Sequence, residues 1–423
     1  MIQHFLLISL FTIALFFLYR FNKGETLKIL IVFQIIFLVL IPYFSDFQNI
    51  NAFSFFSLVL AYEAVLLLSL GYFIGEYFFG ENYYVKNFLV KFKLEEININ
   101  QLIFLYVLVW SIRVYRGLVY GIFFSGSGDE DTILNQSYLA AIIFSYAEIL
   151  SLALFFCAIL IIDKNSSKLI VIIEFMYLLI SNGRRGVILA VAILFLVLLF
   201  RDKVKKLTIF LYLILISLLM YYIITPFFLT LRNFVLSNKD ESFVIGILRG
   251  LQETIEYLIQ DGGLVTITEE NLSERPSALK FLLTIIEAIN SNNYLLGQAL
   301  STMIQWTTPS VFVDKPIYQV EQYIQTELGL SLIDDSISWY SVGYADAGLI
   351  GCFLSGLILF IILKMIILTT RNKSYLIKSI GFTQIFFLLY NIEGDPFYVF
   401  VTLRNLLLLS LILKLISIFK NKY

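Results

Sequence analysis

Arginine is the residue type in this chain with the most chemistry to offer, and its spacing is uneven. Arg184 and Arg185 are adjacent, inside Asn182-Gly183-Arg184-Arg185-Gly186. Arg113 and Arg116 are three apart, so a helix puts both on one face. Arg232 and Arg404 stand at or near the edges of apolar stretches. A guanidinium stays charged and grips phosphate oxygens in pairs, so such a set suits a pyrophosphate clamp. Each arginine also has a structural reading, as the partner of a buried carboxylate. Glu63 and Glu148 fall near mid-span and could neutralise Arg113. Arg113 is read as structural, and Arg184 and Arg185 as functional. For Arg116, Arg232 and Arg404 a pyrophosphate-binding role stands beside the structural one.

The acids offer proton transfer. Glu253, Glu256, Asp334, Asp335 and Asp346 share one region, and one of them could act as general base toward a hydroxyl. Most acids there read as solvated surface. Asp346 is the best placed, because Ala345-Asp346-Ala347-Gly348 opens an apolar span. Asp129-Glu130-Asp131 has a D-x-D spacing that a metal could use, but a Gly/Ser-rich acidic turn reads first as solvated loop. No metal site and no cofactor are expected. His4 is the only histidine, which excludes multi-histidine metal sites and a Ser/His triad within the spans or the long loop. Cys157 and Cys352 both lie in apolar spans, so no disulfide framework or zinc site is on offer.

The elements that position these residues are membrane spans. The chain of 423 residues is 59% hydrophobic and 14% charged, with net charge −1, and its mean hydropathy is +0.87. That is membrane composition, with no basic field for nucleic acid. Apolar stretches long enough or nearly long enough to cross a bilayer occur near 2–19, 29–44, 53–79, 102–124, 137–162, 169–181, 187–200, 207–229, 346–369, 376–391 and 397–418. The first ends at Arg20 with no basic region before it and no small-residue cleavage site, so it reads as a retained helix. About eleven transmembrane helices result. Lysines and arginines gather after every odd-numbered span, and 125–136 is acidic. The positive-inside rule then sets the N-terminus outside and the C-terminus in the cytoplasm. The expected organisation is N-terminal transmembrane helices over 1–229, an external helical loop over 230–345 and C-terminal transmembrane helices over 346–423.

Arg184 and Arg185 are the exception to that charge pattern, since they lie on the external side. Only 32 residues separate Lys168 from Arg201, where two crossings need about 40. The turn carrying the arginines is therefore expected below the outer surface. Backbone at such depth needs protein or a watery cavity around it, and the arginines need an anionic partner. A single helix through 169–200 is the alternative, and it would invert everything downstream. The loop holds 14 acidic and 6 basic residues. Phe243, Ile247, Leu251, Ile255, Leu258 and Ile259 mark one apolar helical face, and Leu279 to Ile289 mark a second, with Pro276 near its start. A small helical cap over an external cavity is expected.

Three passages resemble the bacterial oligosaccharide repeat-unit polymerases, the O-antigen or capsule polymerase (Wzy) family. Ser181-Asn182-Gly183-Arg184-Arg185-Gly186 is similar to the family's S-x-x-R-G stretch. Arg275-Pro276, Tyr294-Leu295-Leu296-Gly297, Pro309 and Lys315-Pro316 resemble its long-loop landmarks. Ser341-Val342-Gly343-Tyr344-Ala345-Asp346-Ala347-Gly348-Leu349-Ile350-Gly351 resembles its re-entry segment, G-E-x-Y-x-N-F-G-x-x-G. Val342 departs from the expected glutamate and Asp346 from the expected asparagine, and no R-x10-G loop motif is present.

The resemblance implies an all-α polytopic membrane protein with a GT-C-like fold, in the bacterial cytoplasmic (inner) membrane. It implies a glycosyltransferase whose donor is a glycan on undecaprenyl pyrophosphate, whose acceptor is a lipid-linked repeat unit, and whose partners include a chain-length regulator and a flippase. Arg184, Arg185 and Asp346 would then be catalytic, and Arg116, Arg232, Arg275 and Arg404 would bind pyrophosphate. Three rivals remain. An O-antigen ligase would usually carry a loop histidine, which is missing. A lipid-linked oligosaccharide flippase would usually show internal repeats, and none is seen. In a purely structural membrane protein the arginines would pair with Glu63, Glu148 and Glu174.

Overall fold

The structure is a computed structural model that describes residues 2–21, 25–35, 38, 53–79, 98–120, 138–162, 164–178, 249–250, 252–253, 255–256, 278–289, 294–308, 313–314, 316–330, 337–370, 375–390 and 399–408. Their regular elements are helices, with no strand among the described residues. In order these are α1 (Ile2–Phe21), α2 (Glu25–Ile35), α3 (Phe55–Phe79), α4 (Ile99–Tyr120), α5 (Tyr138–Leu160), α6 (165–178), α7 (Ala278–Ile289), α8 (Gln298–Thr307), α9 (Val320–Leu328), α10 (Trp339–Thr370), α11 (Tyr375–Tyr390) and α12 (399–408). Four of them, α3, α4, α5 and α10, are long and apolar enough to cross a membrane, and α1, α2, α11 and α12 are shorter apolar helices. The described residues are thus those of a helical membrane protein. The spans expected at 187–200 and 207–229 lie outside the described residues.

The chain divides into two compact units. One comprises Met1–Phe88, Leu272–Asn372 and Gln384–Tyr423; the other comprises Leu89–Asn271 and Lys373–Thr383. The later part of the loop, from Leu272 on, belongs to the first unit with α3 and α10. The physical reason is burial. Helix α7 buries Leu279, Phe281, Leu282, Leu283, Ile285, Ile286 and Ile289, the periodicity visible in the sequence, against α3 and α10. Each fully buried side chain of this kind contributes about 1.5–3 kcal/mol.

In the first unit α3 and α10 form the main packing pair. Glycines let the two backbones approach: a Cβ on Gly71 would lie 2.1 Å from the Phe353 carbonyl oxygen, and one on Gly356 would lie 2.0 Å from that of Leu68. Further along, Gly75 meets Phe360, and the Lys364 amine donates to the Phe79 carbonyl. Residue numbers rise together on both helices, so α3 and α10 run parallel. Helix α2 runs antiparallel to α3, joined by Thr26 Oγ1 donating to Glu76 (3.3 Å) and Ser69 Oγ donating to Gln34 (2.7 Å). Phe11 of α1 packs on Tyr62 at 4.6 Å.

In the second unit α4 and α5 are antiparallel, with Tyr115 near Phe144 and Arg113 near Glu148. The start of α11 joins them through Phe382 on Phe156 (4.6 Å) and the Cys157–Ser379 hydrogen bond (3.0 Å).

Candidate functional site

Helix α10 is two arms. Ala347 (φ −154°, ψ 30°) and Gly348 (φ 60°, ψ −140°) leave helical geometry and turn the chain. In a straight helix Gly343 and Gly351 would be about 12 Å apart along the axis. Here a Cβ on Gly351 would lie 1.9 Å from the Gly343 carbonyl oxygen, and one on Gly343 would lie 2.6 Å from Ser355 Oγ. Cys352 Sγ reaches the Tyr340 carbonyl at 3.4 Å. The short arm, Trp339 to Asp346, thus folds back along the long arm and is buried throughout. The long arm alone, 349–370, is about 33 Å long at 1.5 Å per residue, enough to cross a bilayer. The sequence boundary at 345/346 falls at this turn; the helix itself begins earlier, at Trp339.

The turn receives the loop passage Tyr294–Gly297. Leu295 N–H donates to the Ala345 carbonyl and Leu296 N–H to that of Asp346, both at 2.9 Å. Tyr294 sits against Gly348, where a Cβ would come within 2.8 Å of its hydroxyl, and its ring lies 6.4 Å from that of Tyr344. Only glycine adopts the Gly348 backbone without strain. Leu296 itself has φ 53° and projects an exposed side chain.

Asp346 completes the joint. Helix α8 begins after Gly297, which has no side chain to cap it. Asp346 does so from 47 and 46 residues away: Oδ1 accepts the Ala299 N–H and Oδ2 the Leu300 N–H, both at 2.9 Å. A carboxylate there satisfies open amides and complements the positive end of the helix. The other end of α8 is met by Arg404, whose Nη1 donates to the Thr307 carbonyl at 3.0 Å while Nε donates to Asn405 (3.2 Å). A cation at a helix C-terminus is the complementary arrangement. Two residues read as site candidates thus hold the two ends of one loop helix. A third tie has the same logic. Glu287 of α7 accepts from Ser54 N (3.3 Å) and Ser57 Oγ (3.2 Å) at the N-terminus of α3.

Arg116 belongs to the second unit, in a network with Arg113. Arg113 is 4% exposed and Glu174 is fully buried. Arg113 donates to Glu174 through Nη1 (2.8 Å) and Nη2 (2.9 Å), to Glu148 through Nη2 (2.8 Å), and to Ser151 (2.6 Å). Its guanidinium lies 3.5 Å from the centre of the Tyr177 ring. Ser151 and Tyr106 donate to Glu174. Arg116 pairs with Glu148 at 3.3 Å and donates to Tyr177 at 2.8 Å, and Tyr177 donates to Glu148 at 3.0 Å. Two guanidinium groups and two carboxylates cancel. The structural reading of Arg113 holds, with Glu148 and Glu174 as its carboxylates; Glu63 belongs to the other unit.

Arg184, Arg185, Arg232 and Arg275 lie outside the described residues, as do Asp129 to Asp131, Asp334 and Asp335. Glu253 and Glu256 are helical, and Glu256 accepts from Gln252 at 2.9 Å. Sequence reasoning passed over Glu287 and Tyr177. Glu287 carried a usable signal, as the one acid on a mostly apolar helix; Tyr177 carried none among so many tyrosines. Comparison with protein-family models, with curated proteins and with solved structures returns no match.

Proposed function

We propose that this protein polymerises undecaprenyl-pyrophosphate-linked oligosaccharide repeat units at the outer face of the bacterial cytoplasmic membrane. The reading takes the chain as about eleven spans in a GT-C-like arrangement, N-terminus outside and C-terminus in the cytoplasm. One observation carries it. Two passages that resemble separate landmarks of the repeat-unit polymerases, Tyr294–Gly297 and Ser341–Gly351, fold into one joint closed by Asp346. Order and spacing in the sequence alone give no reason for them to meet.

In this reading the acceptor hydroxyl attacks the anomeric carbon of the donor and undecaprenyl pyrophosphate leaves. Charge grows on the departing pyrophosphate, and fixed cations stabilise it most where water is excluded. Arg184 and Arg185 are assigned that catalytic role. Arg232 and Arg275 are assigned to pyrophosphate binding, while Arg116, paired with Glu148, and Arg404, on the Thr307 carbonyl, hold their own units together. Asp346, with both oxygens on helix amides, acts by positioning α8. The donor arrives already activated as its lipid pyrophosphate, so no nucleotide is required.

The test is the chain-length profile of surface polysaccharide in a deletion strain carrying wild type or Arg185→Ala at matched protein level. The expected result is single-repeat glycan in the deletion, a ladder with wild type and none with Arg185→Ala. An intact ladder in the deletion overturns the proposal. Equal ladders from wild type and Arg185→Ala remove that arginine from the site.

A further inference from the structure

Among the described carboxylates on helices of membrane length, one has no task assigned above. Arg113 is matched by Glu148 and Glu174, and Glu287 and Asp346 cap helices. Glu63 remains. It lies on α3, a helix apolar enough to cross a membrane, eight residues or about 12 Å in from the start of that helix. It is exposed, while Tyr62, Ala64 and Val65 around it are buried. Leu68, Gly71 and Gly75 face α10, and Glu63 stands off that stripe. An ionisable side chain in such a helix faces a watery cavity or a polar ligand, because lipid contact is costly.

Register places Glu63 along α10. Gly75 meets Phe360, and Phe79 meets Lys364, an offset of 285 residues in both pairs. Because α3 and the long arm of α10 are parallel, the same offset puts Glu63 level with Gly348, the turn of the hairpin. There Tyr294, Tyr344 and Asp346 gather, and Tyr344 lies within electrostatic reach of Glu63. Asp346 already has a helix amide on each oxygen. Val342, where the resemblance expects a glutamate, is apolar and buried.

We propose that Glu63 is the general base of the transfer, and this rests on the polymerase reading above. The acceptor hydroxyl oxygen forms the new bond to the donor anomeric carbon. Its proton passes to the Glu63 carboxylate, and the bond from that carbon to the pyrophosphate oxygen breaks with its electron pair on the leaving group. Glu63 then returns the proton to water.

Two measurements test it together. Glu63→Gln and Glu63→Asp are introduced at matched protein level in the deletion strain, and chain length is read. Separately, Glu63→Cys in a Cys157→Ser, Cys352→Ala background is purified into lipid nanodiscs and exposed to a charged, water-soluble thiol reagent. Ile361→Cys, from an exposed apolar position on the long arm, is the lipid-facing control. The expected results are loss of the ladder in Glu63→Gln to 1% or less, about, a shortened ladder in Glu63→Asp, and labelling of Glu63→Cys well ahead of the control. Labelling no faster than the control overturns the cavity and the base, whatever the reaction. Wild-type ladders in Glu63→Gln overturn the base and leave the polymerase reading standing. An intact ladder in the deletion strain takes down both.

Discussion

Asp346 shows how one side chain can serve a fold more than its type suggests. Its place at the opening of a span suits a base, yet both its oxygens accept helix amides, from Ala299 and Leu300. Asn at this position keeps one acceptor; Ala keeps none and leaves a helix end open. Asp346→Ala should cost about 1–3 kcal/mol, read as a lowered melting temperature in detergent, with Asp346→Asn intermediate. Equal melting of Ala and wild type would mean that the cap contributes nothing. Arg113 makes the converse point. Its removal strands a fully buried Glu174, so Arg113→Met should destabilise by about 3–5 kcal/mol. Adding Glu174→Gln should restore part of the loss, since the stranded charge and not the lost packing dominates. A double mutant no more stable than Arg113→Met would refute that ranking.

At the level of elements, the loop is tied down by charges placed at helix ends. Helix α8 has an acid at its start and Arg404 at its finish, and α3 has Glu287 at its start. Helix α9 manages alone: Gly329 (φ 67°) ends it, with Leu330 N–H donating to the Gln325 carbonyl at 2.8 Å. The hairpin of α10 depends on a backbone conformation rather than a charge. Gly348→Ala must place a Cβ at φ 60° and against Tyr294, costing about 1–3 kcal/mol. The expected readout is reduced folded yield on size-exclusion chromatography; wild-type yield and melting would show that the turn tolerates a side chain.

Across the molecule, helix directions are the strongest constraint. Helices α3 and α10 run parallel, the sense that alternating loop charge assigns to the spans at 53–79 and 346–369. A Cβ on Gly75 lies 3.2 Å from the Phe360 Cβ, close to the spacing of about 3.5–4.5 Å in disulfides. Oxidised Gly75→Cys with Phe360→Cys should therefore give a cross-linked peptide by mass spectrometry in a background lacking Cys157 and Cys352. Its absence, with both thiols free, would argue against the parallel pair.

The membrane class was legible in the chain alone: apolar stretches of membrane length, their approximate positions, and α7 with its buried face. Those features are local, written in the hydropathy and periodicity of one helix at a time. Spacing also placed Arg113 and Arg116 on one face, because three residues is nearly one helical turn. Which acids meet Arg113, that Asp346 caps a helix 47 and 46 residues upstream through Ala299 and Leu300, and that α10 doubles back at Gly348 emerge only in three dimensions. Such pairings depend on which helices pack together, and that choice sums many weak contacts between distant parts of the chain.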